Sequence, residues 1–291
     1  MKSDLRIKKI QEYYDQEVHD YTKMYKKNYS SYPSNLLRMN IILDRLKKNK
    51  IKTILDVGCG TCGPMIKFLK EGYKVEGFDF SKEMIKEGKK ELKKAGFNPD
   101  LIYFANLEKP STLPKKKFDA IIASGVFPHV PNEIKVLKNL QKLLKKNGKV
   151  FIEFRNDLFS IFTLNQYSLD FYLNQVLNKK SLSGKLSKEV NNFYTKKFEI
   201  PKSKTQKPKK LSYTDIFSKF HNPLSIGTEI FEPANFSIDK THFYHYHALP
   251  PIFRKNHPTL FDKLSLKCEK PNDWRGNLMA SAFVIEATKN N

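Results

Sequence analysis

The sequence predicts an α/β protein: a Rossmann-like, doubly wound, mostly parallel seven-stranded sheet with N-terminal helices and a helical cap insertion. Three observations carry that expectation. From residue 51 to residue 155 short apolar runs alternate with amphipathic helical runs, the rhythm of a parallel sheet with helices on both faces. A glycine-rich turn, ILDVGCGTCGP at 54–64, joins the first strand-like run to the first helix of that series. The rhythm stops after Arg155 and resumes near residue 221, which marks an insertion.

Element by element, residues 5–28 are polar and aromatic with helical spacing, and 34–49 read as an amphipathic helix with Ser34 as its N-cap. KTILDV is the first strand and GPMIKFLKEG the helix after the glycine turn. YKVEGFDF is the second strand, and SKEMIKEGKKELKKAG is a helix with Ser81 as N-cap and Gly96 near its end. DLIYFA and FDAIIAS follow as strands, NEIKVLKNLQKLLKKNG as a helix, and KVFIEF as the fifth strand. Residues 157–220 form the cap, aromatic at first (Phe159, Phe162, Tyr167, Phe171, Tyr172) and then lysine-rich around IPKSKTQKPKK, read as a mobile tip. A helix near NPLSIGTEIFEPAN, a strand FSIDKTHFYHYHAL, a helix HPTLFDKLSLKC and a strand MASAFVIEATK complete the sheet. The expected division is 1–49, 50–156, 157–220 and 221–291.

Composition narrows the class. The chain is 40% hydrophobic and 29% charged, as in a soluble globular protein, and no apolar run approaches the roughly 18 residues of a membrane span. The first residues are too polar for a secretory signal, and three cysteines make no disulfide framework; both point to the cytoplasm. The net charge of +23 is almost all lysine, scattered along the chain. Arginine, whose planar fork grips phosphates and bases in pairs, is scarce. The charge therefore predicts a surface that attracts anions, with nucleic acid as a secondary reading.

The glycine turn holds both a C-x-x-C (Cys59, Cys62) and a G-x-G-x-x-G (Gly58, Gly60, Gly63). Its position between a strand and a helix favours nucleotide binding, because glycines let ligand and backbone approach closely and the helix start offers free N–H groups. That much is shared with NAD-binding folds. Two acids sharpen it. Asp79 closes the second strand, where an acid grips ribose hydroxyls. Asp56 lies two residues before Gly58, where it would sit poorly beside a pyrophosphate and well beside an ammonium group. No second C-x-x-C completes a zinc site, so no metal is expected.

On these residues the sequence resembles the class I S-adenosylmethionine-dependent methyltransferases. ILDVGCG matches their first motif, VEGFDFSKEM their second, Asn106-Leu107 in FANLEKP their third, and FDAIIASGVFPHVPN their fourth, with LKKNGKVFIEF resembling the turn into strand five. The resemblance covers roughly residues 50–155. It implies S-adenosyl-L-methionine as cofactor and S-adenosyl-L-homocysteine as product. It assigns Asp56 to the methionine ammonium, Gly58, Cys59 and Gly60 to the methionine portion, and Asp79 to the ribose. Phe80, Met84, Asn106 and Leu107 fall around the adenine. Ser124 and Gly125 offer backbone oxygens, and Tyr14 and Tyr21 lie on an N-terminal helix folded over the cofactor.

For methyl transfer the chain needs an acceptor site, a lid and, for a hydroxyl acceptor, a base. His129, after the fourth strand, is the first candidate base, against a plain role in the turn. Arg155, ending the fifth strand, binds an anionic substrate or makes a structural ion pair. In THFYHYHALPP, strict alternation puts Phe243, His245 and His247 on one face and His242, Tyr244 and Tyr246 on the other, with His245 a candidate for the acceptor site. The expected acceptor is a small molecule, such as a sugar, a nucleotide- or lipid-linked precursor or another anionic metabolite. RNA methylation and non-catalytic cofactor binding are the alternatives. Fold does not fix the substrate, and oligomeric state is not legible.

Overall fold

The structure is a computed structural model that describes residues 2–25, 30–177, 182–198, 211 and 216–290. Two helices open the chain, α1 (Lys2–Lys23) and α2 (Ser34–Lys48). The alternating series follows: β1 (Thr53–Val57), α3 (Gly63–Lys70), β2 (Lys74–Asp79), α4 (Lys82–Lys94), β3 (Ile102–Phe104), β4 (Phe118–Ala123), α5 (Glu133–Lys142) and β5 (Leu144–Arg155). The cap contributes α6 (Phe159–Thr163), α7 (Gln166–Phe171) and α8 (Gly184–Lys197). β6 (Phe236–Tyr246), α9 (Pro258–Lys267), α10 (Gly276–Met279) and β7 (Ala280–Lys289) close the fold. Among the described residues no helix is long and apolar enough to cross a membrane.

The sheet has seven strands in the order β3-β2-β1-β4-β5-β7-β6. Strands β1 to β5 pair in parallel, and β7 runs antiparallel between β5 and β6. The order reverses direction at β1 and β4, so the crevice beyond their C-terminal ends is the expected ligand position in an open α/β sheet. One sheet face buries Val136, Leu137 and Leu140 of α5 with Phe231 and Phe236. The other buries Met39, Ile42 and Leu46 of α2, Met65 and Phe68 of α3, and Leu92 of α4.

Several local expectations are corrected. Ser34 is the first residue of α2; Pro33 occupies the cap position and makes no side-chain cap bond. The helix expected over 132–148 ends at Lys142, and β5 begins at Leu144. The left-handed Asn147 (φ 56°) sits where the β4–β5 register slips between Phe118 and Ala120. The helix expected at 222–235 is a π-type turn, Gly227–Phe231, followed by a 3-10 turn at Glu232–Ala234. Pro233 there has no N–H to continue an α-helix. In the cap, Tyr172 stacks on Tyr194 at 5.8 Å, so that ring packs within the cap itself. The lysine-rich tip lies outside the described residues.

Candidate functional site

The glycine turn is held by the end of β2. The N–H groups of Gly58 and Cys59 donate to the Phe78 carbonyl (2.9 and 3.0 Å), and Gly60 N–H donates to Asp79 Oδ2 (2.9 Å). Gly58 has φ +69°, and a Cβ there would lie 2.4 Å from Val126 Cγ2, so any other residue would be strained and would have to displace the Val126 side chain. The cysteines face inward: both are buried, and a Cβ on Gly88 of α4 would meet Cys62 Sγ at 2.8 Å. Among the described residues no group of three or more His, Cys, Asp or Glu could hold a metal ion.

Two adjoining cavities open beyond β1 and β4. The larger, about 820 Å³ with its open mouth, is lined by Asp79, Phe80 and Met84 after β2, by Asn106, Leu107 and Glu108 after β3, and by His129 after β4. The smaller, about 490 Å³, is lined by Asp56, Cys59 and Thr61 from the turn and by Tyr25, Asn35 and Arg38 from the N-terminal segment. Tyr21, Gly58, Gly60, Ser124 and Gly125 line both. Helix α1 walls the larger cavity with Arg6, Ile7, Ile10 and Tyr14. All the cofactor candidates named from the sequence thus line one cavity or the other.

The two acids are electrostatically poised. Asp56 is buried, its Oδ2 has no hydrogen-bond partner among the described residues, and its pKa is pushed up to about 7, mainly by burial and then by Asp79, with Arg38 opposing. Asp79 accepts from Gly60 and Ser81 N–H (both 2.9 Å), yet burial still lifts its pKa to about 6. Two buried carboxylates side by side, one with an orphaned oxygen, complement a ligand that brings a cation and hydroxyl donors.

Sequence reasoning missed the other side of the smaller cavity. Arg38 on α2 is buried, donates to Tyr25 Oη (2.6 Å) and pairs with Glu153 of β5, which also accepts from Tyr244 Oη (2.6 Å). Tyr25 in turn lies where a Cβ on Gly63 would be (2.6 Å from its ring). This buried guanidinium beside Asp56 can hold a carboxylate as Asp56 can hold an ammonium.

His129 is buried at the end of a 3-10 turn, Phe127–His129. Its Nδ1 lies 2.7 Å from the Phe217 carbonyl and its Nε2 lies 2.7 Å from Tyr14 Oη. A carbonyl only accepts, so Nδ1 carries the proton and Nε2 of the neutral ring accepts from Tyr14. Burial lowers the His129 pKa; the Phe217 carbonyl opposes, and Arg155 and Arg6 add to the lowering. The Tyr14 and Tyr21 rings meet edge to face at 5.6 Å.

Arg155 and His245 line neither cavity. Arg155 lies over the Phe220 ring (6.0 Å) and acts electrostatically on His129, Tyr13 and His245. His245 is on β6, at the far edge of the sheet, with its ring 5.0 Å from Tyr32. The structure does not bring it together with the residues that line the two cavities. The face assignment fails there. Phe243 and Tyr246 share one core cluster and Tyr244 belongs to the other, because His245 takes a left-handed backbone (φ 60°) and interrupts the alternation.

Residues 55–150 match the methyltransferase domain family. An uncharacterized protein of Haemophilus influenzae is 33% identical over 129 residues, covering 41% of this chain and 51% of that one. The ubiquinone biosynthesis O-methyltransferase of Photobacterium profundum is 30% identical over 122 residues, covering 42% and 52%. The chain therefore spans about half the length of the curated relatives it matches. Among solved structures, magnesium protoporphyrin IX methyltransferase from Synechocystis PCC 6803 with bound SAH superposes with a TM-score of 0.55 at 14% identity, over 100% of both chains. An S-adenosylmethionine-dependent methyltransferase from Clostridium acetobutylicum gives 0.54 at 12%, over 96% and 99%. The strand order, with the paired cavities at its reversal point, is that of an α/β methyltransferase fold. Residues 55–150 of the chain thus carry a methyltransferase domain.

Proposed function

We propose that the chain binds S-adenosyl-L-methionine across the two cavities and transfers its methyl group to a small-molecule acceptor, at a hydroxyl oxygen. The observation that carries this reading is the orphaned Asp56 oxygen in the smaller cavity, next to Asp79 in the larger one. In this reading Asp56 meets the methionine ammonium and Arg38 the carboxylate. Asp79 takes the ribose hydroxyls, and Phe80, Met84, Asn106 and Leu107 enclose the adenine. When bound, the cofactor supplies an electrophilic methyl carbon on a sulfonium.

The chain's own residues do the rest. Tyr21, lining both cavities, marks their junction, and Tyr14 and His129 stand beside it. Because Nε2 of His129 is capped by the Tyr14 hydroxyl, a proton leaving an acceptor hydroxyl passes to Tyr14 Oη as the Tyr14 proton moves to Nε2. The Phe217 carbonyl keeps Nδ1 as the donor and aligns the ring. Helix α1 shields the site from water.

Calorimetric titration with S-adenosylmethionine, S-adenosylhomocysteine and NAD tests the reading. Micromolar binding of both adenosyl compounds and none of NAD is expected, with loss of binding in a folded Asp56→Ala variant. NAD binding alone, or undiminished affinity in Asp56→Ala, would overturn it.

A further inference from the structure

The sheet edge that carries the cofactor candidates continues past them. Strands β4, β5, β7 and β6 lie side by side, and the same edge carries Ser124, then Arg155, then His245 and His247. At about 4.8 Å between neighbouring strands, β6 is roughly 14 Å from β4. Arg155 stands between, close enough to depress the pKa of both His129 and His245.

His247 is the anomaly here. Both of its ring nitrogens are buried, and neither has a hydrogen-bond partner among the described residues. Its ring lies 4.7 Å from Phe159 of the cap, 5.5 Å from Phe261 of α9 and 5.1 Å from the His245 ring. A buried imidazole without partners is costly, and such groups in native proteins call for an explanation.

The surrounding charges say which partner is missing. Arg155 and Arg254 both act on His245, and Arg254 acts on His247. Two acids stand nearby, and each is already engaged. Asp262 accepts from Arg254 Nε and Nη2 (3.0 and 3.1 Å) and from Ser31 Oγ. Glu269 accepts from Tyr32 Oη and from Tyr246 N–H (2.8 Å). What remains is the two unmet nitrogens of His247, with the His245 ring beside them and the field of Arg155 and Arg254 opposed only by the already paired Asp262, an arrangement that complements an oxyanion.

We propose that His245 and His247, with Arg155 between them and the His129 pocket, form a subsite for an oxyanion at the distal end of the methyl acceptor. The acceptor is then an elongated acid: its hydroxyl reacts beside Tyr14 and His129, and its carboxylate or phosphate sits some 14 Å along the sheet edge. The methyl-transfer reading is needed only to identify this ligand as the acceptor.

The test is NMR of protein labelled at histidine side chains and mixed with S-adenosylhomocysteine, titrated separately with inorganic phosphate and with benzoate. A His247→Gln variant assigns the His247 signals, and exposed His257 is the internal control. One anion is expected to move the His245 and His247 signals saturably and to raise their apparent pKa by about one unit or more, because an anion favours the protonated imidazole. Which anion succeeds identifies the acid. No saturable movement with either anion, or movement shared equally by His257, overturns the subsite. Calorimetry on the same sample keeps the two readings apart. Homocysteine-compound binding without an anion response sinks the subsite alone, and an anion response without that binding sinks the methyl-transfer reading alone.

Discussion

The pKa of Asp56, about 7, makes a sharp expectation for ligand binding. The shift comes mainly from burial, so the carboxyl is largely protonated below pH ~7 before ligand arrives. An ammonium beside it favours the carboxylate and lowers the pKa. Binding therefore releases a proton at mildly acidic pH, and affinity for S-adenosylhomocysteine rises with pH through about 7 and levels off above. Calorimetry in buffers of different ionisation enthalpy reads the proton directly; proton uptake, or a flat affinity, would exclude the ammonium contact. His129→Ala and Tyr14→Phe are expected to lower kcat by roughly 10²–10⁴ with cofactor affinity almost unchanged, the range for a general base. Full turnover in either variant would remove that residue from the proton path.

Helix α2 is fixed to the sheet through ion pairs seven residues apart. Arg38 pairs with Glu153 on β5, and Arg45 Nε donates to Glu286 on β7 (2.6 Å). Glu286 is buried and also meets Asn49 (2.8 Å), His242 (3.4 Å) and Lys149 (3.6 Å). Removing one member of a buried pair strands the other, so Glu286→Ala is expected to cost about 3–5 kcal/mol in urea unfolding. A loss under about 1 kcal/mol would mean that the pair is solvated in practice. Despite the cost of burial, hydrogen bonds from His242, Arg45 and Asn49 hold the Glu286 pKa well below the usual carboxylate range. Its contribution to stability is therefore present above the unfolded value of about 4.3 and declines as pH falls toward the folded value. This scale also shows what was legible in the sequence. The strand–helix series was readable because local periodicity encodes it, and Asp56 and Asp79 from their places at strand ends beside the glycine turn; Asn106 was reached only through the family resemblance. Arg38, Tyr25 and Arg6 were not legible, because helical polar residues acquire meaning only from what faces them across the fold. The alternation over 242–247 misled for a related reason: it assumes regular backbone, and the left-handed φ of His245 has no signature in a run of aromatic residues.

At the scale of the whole molecule, the site is closed by a helix that the sheet does not contain. Lysines on α4 pair locally with Glu83, Glu87 and Glu91 three residues away, so their charge is offset on the helix itself. The wall formed by α1 is pinned at several points. Arg6 donates to the His129 carbonyl (2.9 Å) and to Glu108 Oε1 (2.5 Å), Ser81 Oγ meets Asp15, and Tyr14 caps His129. Release through this wall requires α1 to shift, and the Arg6 contacts must break for that to happen. Hydrogen bonds to charged groups contribute about 1.5–3 kcal/mol, and about 1.4 kcal/mol is tenfold in rate or affinity. Arg6→Ala is therefore expected to speed S-adenosylhomocysteine release at least about tenfold, read by chasing labelled ligand with excess unlabelled ligand. Association should quicken as well, because the same bonds must break to admit ligand. A release rate equal to that of the parent protein would show that α1 does not gate the cavity.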